Sequence, residues 1–567
     1  MDFFDYAWAT SFQITKKKHE EVKVLVRDDV AFPRFGKDSE GYVICVPEPR
    51  RMSKGRVEFQ GLLLNANNPF HRRILWQLFR ASIYHLSLHV ATSGFEAYPK
   101  WAKNKDPNLA LYVASIIEDV VVSAYIKTLW LPLIPDVALA NTIAYLRLKP
   151  SQVIFDDSHR AMAAIISTYT VGKNKGSISK QMQKDTEEIV QRLRQIENTT
   201  SKQLAENSRN FSTIDRLQAA DEIYSKLREY GNPPSVVSLP YTDTYNGNSV
   251  YSKNITATEE EFSNTLTMAF SKLGSNVFTD ESCERETSQA FSAWEAKELH
   301  QQKILEDYKE ISGSTRFSGI EFPKEDYTEY LRSKQLLSGP VRRVMEKLRL
   351  LKNITGEDFK QESGLVDLQE AIQIVASKSK RTDIFVREEY QAREEAWAII
   401  IDASHSLDFF TGEVRGIALC LAETAKNLIL NRAAWGMFAF SDKFYIIKDF
   451  TENYSTRVRA RIGGLKHGGL TYLPDGLSIV ANKMKEHTEQ ARIILAVSDF
   501  YPSGDSEMEN ELIESAKQIE RSGVGLIGVG VRSRAVKNYF RAHCVVETPY
   551  DLMKKFTKAF LEYSATV

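Results

Sequence analysis

The stretch AWAIIIDASHS, residues 396–406, decides the fold of the carboxyl-terminal part of the chain. Its first six residues are all apolar, and they are followed at once by the oxygen-bearing side chains of Asp402, Ser404 and Ser406. A short, continuous apolar run predicts a central strand of a parallel sheet, because such strands are buried on both faces. Ligand-binding loops in open α/β sheets follow the carboxyl ends of strands. The stretch therefore predicts a strand that delivers a polar loop to a binding edge.

Helical and strand patterns alternate around this stretch, from residue 395 to the terminus. Apolar residues recur at three- and four-residue spacing over 414–428, which predicts a helix. The apolar runs 435–440 and 444–447 flank a short polar turn, which predicts a hairpin. This alternation predicts a doubly wound, mostly parallel, Rossmann-like sheet. The remaining predicted elements are strands at 493–497, 524–531 and 544–546, and helices from about Pro474, over 532–540 and over 549–563.

Two further oxygen-bearing residues follow in chain order. Thr471 comes after a pair of glycines and a leucine, and Asp499 comes after the predicted strand 493–497. The full pattern, D-x-S-x-S and then this threonine and this aspartate, resembles the metal-ion-dependent adhesion site of von Willebrand factor A domains. The resemblance implies that Ser404, Ser406 and Thr471 supply oxygens, and that Asp402 and Asp499 hold the ion directly or through water.

Three hydroxyls and two carboxylates form an all-oxygen set suited to octahedral Mg²⁺, with Mn²⁺ or Ca²⁺ as alternatives. Five groups, some acting through water, leave one coordination position open for a carboxylate of another protein. Docking is therefore expected rather than catalysis. The alternative is that the same residues cap loops without binding metal. His405 is expected to be a loop side chain, and Asp408 and Asp505 are expected to be solvated loop charges.

Composition limits the class of protein. The chain has 567 residues, with Lys plus Arg equal to Asp plus Glu at 74 each, so no overall charge favours nucleic acid or an anionic membrane. Four scattered cysteines favour a reducing compartment. The amino terminus lacks the basic start and apolar core of a secretion signal. The longest apolar stretch, 120–139, contains a lysine, two prolines and an aspartate, which argues against a membrane span. A cytoplasmic location is expected.

The first 392 residues have a different organisation. Alternating apolar residues at 22–26, 42–46 and 57–64 predict a small β part, and the chain then becomes mainly helical. Charged helices are expected over 178–196 and 287–311. Two segments rich in Asn, Ser and Thr, 198–213 and 232–258, are expected to be loops or linkers. We expect three domains: a small β plus helical domain over 1–150, a charged helical region over 151–392, and the α/β domain over 393–567.

One group of residues in the helical part suggests a second metal site. His85 and His89 are four residues apart on a predicted helix and share a face, and Glu118 follows on the next helix. This spacing resembles the zinc site of gluzincin metallopeptidases. The position after the first histidine, which should hold the general-base glutamate, is Leu86, so peptide hydrolysis lacks its base. The alternative is that both histidines are satisfied within a helical core.

The order of parts resembles an intracellular branch of von Willebrand factor A proteins. These are the nitric oxide reductase activation proteins of the NorD type and, more distantly, the cobaltochelatase T subunit and the CbbO proteins. The resemblance is specific over 395–567 and loose before it, and it implies a MoxR-type AAA+ ATPase as partner. The chain has no G-x-x-x-x-G-K-[ST] phosphate loop, so the ATPase is expected to be a separate protein.

The sequence thus favours a non-enzymatic adaptor or co-chaperone that docks a protein client through a metal ion. A metallohydrolase centred on His85, His89 and Glu118 is the alternative from another class. A surface adhesion protein is a third possibility, and the missing signal peptide and missing disulfide pattern weigh against it.

Overall fold

The computed structural model describes most of the chain in thirteen ranges. Residues 207–212 and 243–249, which fall within the two expected loops, and Asp505 lie outside the described residues. The chain divides into two compact units, Met1–Leu299 and His300–Val567. The described ranges are 2–206, 213–242, 250–255, 257–274, 281–313, 315–352, 356–361, 365–377, 381–389, 395–429, 431–488, 491–501 and 506–564.

The first unit is mainly helical and carries two small sheets. Its strands are β1 (Val22–Arg27), β2 (Arg34–Asp38), β3 (Gly41–Pro47), β4 (Arg50–Arg51), β5 (Arg56–Phe59) and β6 (Leu62–Asn65). They form two three-stranded sheets, in the orders β1-β3-β2 and β4-β5-β6. The helices are α1 (Phe3–Thr15), α2 (Pro69–Thr92), α3 (Tyr98–Trp101), α4 (Pro107–Leu129), α5 (Ile134–Arg147), α6 (Asp157–Thr170), α7 (Lys180–Ala205), α8 (Thr213–Arg228), α9 (Glu259–Lys272) and α10 (Glu281–Ser312), whose residues from His300 onward belong to the second unit.

Helices α2 and α4 form much of the core of this unit, and local sequence explains where each begins. The Asn68 side chain accepts hydrogen bonds from two backbone N–H groups of the first turn of α2, and Asp106 accepts one in the same way at α4. A proline occupies the first position of each helix, where its missing N–H removes no bond. These caps fix the residue at which each helix begins.

Among the described residues, one helix, α4, is long and apolar enough to cross a membrane. Most of it is buried inside the first unit, as the core helix of a folded domain is. The length and composition of α4 therefore do not show whether it crosses a membrane or is the core helix of a folded domain.

The second unit is built on a seven-stranded sheet in the order β16-β15-β14-β11-β12-β13-β7. A separate three-stranded sheet has the order β8-β10-β9. The strands are β7 (Ile320–Glu321), β8 (Gly356–Gln361), β9 (Leu365–Val366), β10 (Phe385–Glu389), β11 (Glu395–Asp402), β12 (Trp435–Phe440), β13 (Phe444–Lys448), β14 (Ala491–Ser498), β15 (Val524–Val531) and β16 (Ala542–Val546). The helices are α11 (Tyr327–Leu336), α12 (Ser338–Lys352), α13 (Leu368–Ser377), α14 (Thr411–Leu428), α15 (Thr456–Gly463), α16 (Leu473–Met484), α17 (Ser506–Arg521) and α18 (Leu552–Ser564).

Strand β11 lies at the centre of the large sheet, and all eight of its residues are buried. It is parallel to both neighbours, β12 and β14. Trp397 packs against Phe560 of α18, with ring centroids 5.6 Å apart, whereas Ile400 packs closely over Gly476 of α16. Residues three apart on a strand point to opposite faces, so helices cover both faces of the sheet. The mostly parallel, doubly wound sheet expected from the sequence is confirmed, and it is mixed because β13 is antiparallel to β12.

Residues before the expected start of the α/β domain also belong to this sheet. Strand β7 pairs with β13 at the sheet edge, 74 residues before β11 begins (395 − 321). Buried charges hold the segment that follows it: Arg457 contacts Glu325 at 2.9 Å, and Arg461 lies 4.2 Å from the ring centroid of Phe322. The second unit therefore begins at His300, and not at 393.

Three other expectations differ from the structure. No unit boundary falls near 150, and the region 151–392 is shared between the two units, because α7 and α8 pack with α4, and α9 packs with α5. Helix α7 continues to Ala205, eight residues into the expected loop 198–213, since Thr200 and Glu197 are buried and extend its packed face. Over 532–540 only a single turn of 3₁₀-helix forms, Ala535–Asn538.

Candidate functional site

The expected metal loop lies at the carboxyl end of β11, beside the end of β14. Asp402 is fully buried, and its carboxylate accepts hydrogen bonds from the Ser404 backbone N–H at 2.8 Å and from the Ser498 hydroxyl. The Ser404 and Ser406 hydroxyl oxygens are 3.0 Å apart. Parallel pairing of β11 with β14 places Asp499 one residue beyond this contact. The structure thus brings the first and third expected loops together.

Backbone hydrogen bonds attach the second loop to the first. The Gly468 N–H donates to the Ala403 carbonyl at 2.8 Å, and the His405 N–H donates to the Gly469 carbonyl at 3.2 Å. Thr471, two residues further on, is buried. All three loops expected from the sequence therefore meet at one edge of the sheet.

A glycine is required at the centre of the second loop. Gly469 has a φ of +78°, and a Cβ there would lie 2.2 Å from a carboxylate oxygen of Asp442 in the β12–β13 turn. The sequence indicated a turn at Asp442 but not this approach to the site. Asp442 lies close to Gly469 because the pairing of β12 with β13 places their turn beside the second loop.

The electrostatics of the site favour a cation. Burial raises the pKa of the Asp402 carboxyl to about 6, and the charge of Asp499 acts in the same direction, while hydrogen bonds from Ser404 and Ser498 lower it. The Asp402 and Asp499 carboxylates are thus neighbours. The groups that donate hydrogen bonds to Asp402 are neutral and do not balance its negative charge, as a bound cation would. The donor set of two carboxylates and three hydroxyls fits a hard divalent ion such as Mg²⁺ or Mn²⁺.

His467 supports the site and was not singled out from the sequence. Its Nδ1 lies 3.1 Å from the Thr411 hydroxyl at the start of α14, and its ring lies beside the Asp402 backbone carbonyl. Burial, and then the charge of Arg415, lower its pKa to about 4, so the imidazole is neutral at pH 7. A lone histidine before a glycine pair carries no local signal of this role.

Each of the three loops also exposes one large apolar side chain. Phe409 follows the first loop and is 91% exposed, Leu470 precedes Thr471 and is 50% exposed, and Tyr501 follows Asp499 and is 63% exposed. His405 and Asp408, expected to be loop side chains, are also exposed. The edge of the sheet therefore combines four buried oxygen-bearing residues and the exposed Ser406 with three exposed apolar side chains, which we call the apolar rim (Phe409, Leu470 and Tyr501).

In the helical unit, the structure brings together His85 and His89 but not Glu118. The Glu118 carboxylate accepts a hydrogen bond from the Tyr98 hydroxyl at 2.9 Å and contacts Arg216 at 3.2 Å. Asp119, the next residue of α4, contacts the two histidines instead. Although burial opposes its charge, the two imidazoles lower the pKa of the Asp119 carboxyl. The structure therefore places Asp119, and not the expected Glu118, beside the two histidines.

Comparison with known proteins gives structural similarities alone. No protein-family model matches the chain, and no curated protein matches it. A von Willebrand factor type A protein from Catenulispora acidiphila is 16% identical, over 30% of this chain and 42% of that one, with a TM-score of 0.24. The manganese-loaded TRAP protein of Plasmodium vivax is 15% identical, over 28% of this chain and 63% of that one, with a TM-score of 0.22.

A third similar structure is a point mutant of the PilB minor pilin from Streptococcus sanguinis. It is 13% identical, over 33% of this chain and 66% of that one, with a TM-score of 0.25. The chain thus spans 42% to 66% of the lengths of these structures. At such scores the similarities say nothing about what this chain binds.

Proposed function

We propose that the second unit is a metal-dependent docking domain, in which Mg²⁺ held by Asp402, Ser404, Ser406, Thr471 and Asp499 binds a carboxylate of a partner protein. The observation that carries this proposal is the combination found at each loop: an oxygen group of the metal set beside an exposed apolar residue. Protein interfaces combine a few desolvated polar anchors with apolar and aromatic contacts. The apolar rim would supply those contacts around the ion.

The partners follow from the resemblance to the NorD-type branch. In this proposal the chain is a cytoplasmic, non-enzymatic adaptor: a MoxR-type AAA+ ATPase supplies the force, and the docked client carries an exposed Asp or Glu next to apolar residues. The metal makes docking selective, since an ion with one open position gains its last ligand from the client. A client whose acidic residue is replaced by its amide would lose that ligand.

Replacing Asp402 with alanine is expected to weaken metal binding at least about 100-fold, because even groups outside the first coordination shell of a metal contribute about 10–100-fold. Mn²⁺ serves as the probe, with bound and free ion measured by electron paramagnetic resonance on the full chain. The matched control is Asp408→Ala, since Asp408 is an exposed aspartate close to the same loop. Unchanged Mn²⁺ affinity in both Asp402→Ala and Thr471→Ala would contradict the assignment of the site.

Docking is tested separately from metal binding. The client docked through the ion is expected to co-purify with the wild-type chain and a MoxR-type ATPase in Mg²⁺, and to be lost in EDTA or with Asp402→Ala. Replacing Phe409 and Tyr501 with serine should weaken co-purification while leaving Mn²⁺ affinity unchanged, because neither side chain carries a metal ligand. If co-purification survives both EDTA and Asp402→Ala, docking through the metal is wrong.

A further inference from the structure

The side chains of His85, His89 and Asp119 converge on one point between α2 and α4. The His85 and His89 Nε2 atoms are 2.9 Å apart. The Asp119 Oδ1 atom lies 3.0 Å from the first and 3.2 Å from the second. Both histidines are buried, and 14% of the Asp119 side chain is exposed. Three groups that can each offer a metal ligand thus form a nearly equilateral triangle.

Hydrogen bonding alone does not explain this triangle. An imidazole Nε2 has one in-plane direction, along which it donates or accepts a single strong bond. Each Nε2 here has two partners within 3.2 Å, so one contact of each must be poorly directed. In a tetrahedral zinc site, with ligands at about 2.0–2.1 Å from the ion, neighbouring ligand atoms are about 3.3 Å apart. The observed separations are close to that spacing.

A cavity opens beside the triangle. His85 and Asp119 line it, together with polar side chains that include Ser123, Asn141 and Tyr241. About 40 Å³ of it is available to the centres of water-sized molecules. One water needs about 10–15 Å³ by this measure, so the cavity has room for a water molecule next to a bound ion.

We propose that His85 Nε2, His89 Nε2 and Asp119 Oδ1 bind a transition-metal ion of the zinc class, with a water molecule from the cavity as fourth ligand. Two imidazoles and a carboxylate suit zinc, whereas magnesium prefers oxygen ligands, so this site and the site at Asp402 select different ions. The ion links α2 to α4. Its role is structural, because the position after His85 is Leu86 and the Glu118 carboxylate is held by Arg216.

Cobalt binding to the full chain tests the proposal. The protein is stripped with EDTA, saturated with Mg²⁺ and titrated with Co²⁺, because a four-coordinate site with nitrogen ligands gives strong visible absorption and an octahedral all-oxygen site gives weak absorption. We expect one equivalent of strongly absorbing Co²⁺, displaced by Zn²⁺ and retained in the Asp402→Ala variant. Asp119→Asn and His85→Gln should each weaken it by at least about 100-fold, since they alter ligands themselves.

Two controls separate this site from nearby groups. His159→Gln changes another buried histidine of the same unit and should leave Co²⁺ binding unchanged. Glu118→Gln should also leave Co²⁺ binding unchanged. A loss of Co²⁺ binding in this variant alone would mean that Glu118, and not Asp119, is the third ligand. The proposal is overturned if the wild type gives no strong absorption, or if binding survives both Asp119→Asn and His85→Gln.

Zinc X-ray absorption on the wild-type protein does not depend on the folding of any variant. It should show two imidazole ligands and oxygen ligands at about 2.0–2.1 Å. A spectrum without imidazole scattering would also overturn the proposal, even if cobalt had bound.

Discussion

Replacing Gly463 with alanine is expected to destabilise the second unit by about 3 kcal/mol or more, at or beyond the upper end of overpacking in a core. A Cβ at this position would lie 2.1 Å from the Asp326 carbonyl oxygen and 2.7 Å from the Tyr330 backbone nitrogen. Both atoms belong to the backbone at the start of α11, so no side-chain rotation relieves the clash. The first turn of α11 would have to separate from the end of α15.

The matched control is Gly412→Ala, near the start of α14. A Cβ there has no atom within 4 Å, and alanine is favoured over glycine in helices by about 0.5–1 kcal/mol, so this variant should be neutral or slightly stabilising. Urea unfolding gives the stability, and peptide-resolved hydrogen exchange assigns the change to the second unit, since a chain with two units need not unfold in one step. Equal stability of Gly463→Ala and the wild type would mean that α11 does not pack on α15.

Removing the charge of Glu118 is expected to cost the first unit about 3 kcal/mol, the lower end of the range for breaking a buried ion pair. Glu118 is fully buried and faces Arg216, whose side chain is 12% exposed. In Glu118→Gln the amide still accepts from the Tyr98 hydroxyl, but the Arg216 guanidinium loses its counter-charge. Because the Arg216 side chain is slightly exposed, we expect a loss of stability at the lower end of that range.

A double-mutant cycle isolates the ion pair. Arg216→Met in the Glu118→Gln background should recover part of the loss, because no unpaired charge then remains. Asp29→Asn serves as the exposed reference: Asp29 pairs with Arg27 at 2.8 Å with 45% of its side chain exposed, and such pairs contribute about 0–1 kcal/mol. Urea unfolding with hydrogen exchange of α4 measures these three variants and the Arg216→Met single variant that completes the cycle. If Glu118→Gln costs no more than Asp29→Asn, the pair does not stabilise the unit.

The central strands could be predicted because their signal is local. Strand β15 was expected at 524–531 and has those bounds, and the expected strand 493–497 lies within β14. A short apolar run bounded by polar residues carries the information for a buried strand within itself. The three candidate metal loops were predicted from the resemblance to the adhesion site of von Willebrand factor A domains, and each also directly follows or precedes a recognisable element.

The cluster of His85, His89 and Asp119 could be predicted only in part from local sequence. His85 and His89 share a face of α2 because residues four apart on a helix are neighbours. Which acid of α4 meets them depends on how α4 is rotated about its own axis, and adjacent residues such as Glu118 and Asp119 point about 100° apart. Arg216, from α8, decides this by pairing with Glu118. No pattern within α4 contains that information.

The sequence by itself determined the parallel sheet around β11, the three loops at its carboxyl edge and the oxygen character of the candidate metal site, because strand burial and loop chemistry are encoded in short runs. Only the tertiary structure decided where the second unit begins. Strand β7 has two residues and no periodic signal, and it exists because β13 offers a free edge and because Glu325 pairs with Arg457, a residue 132 positions away. Contacts between such distant residues leave no pattern in either segment, so they become visible when the chain is folded.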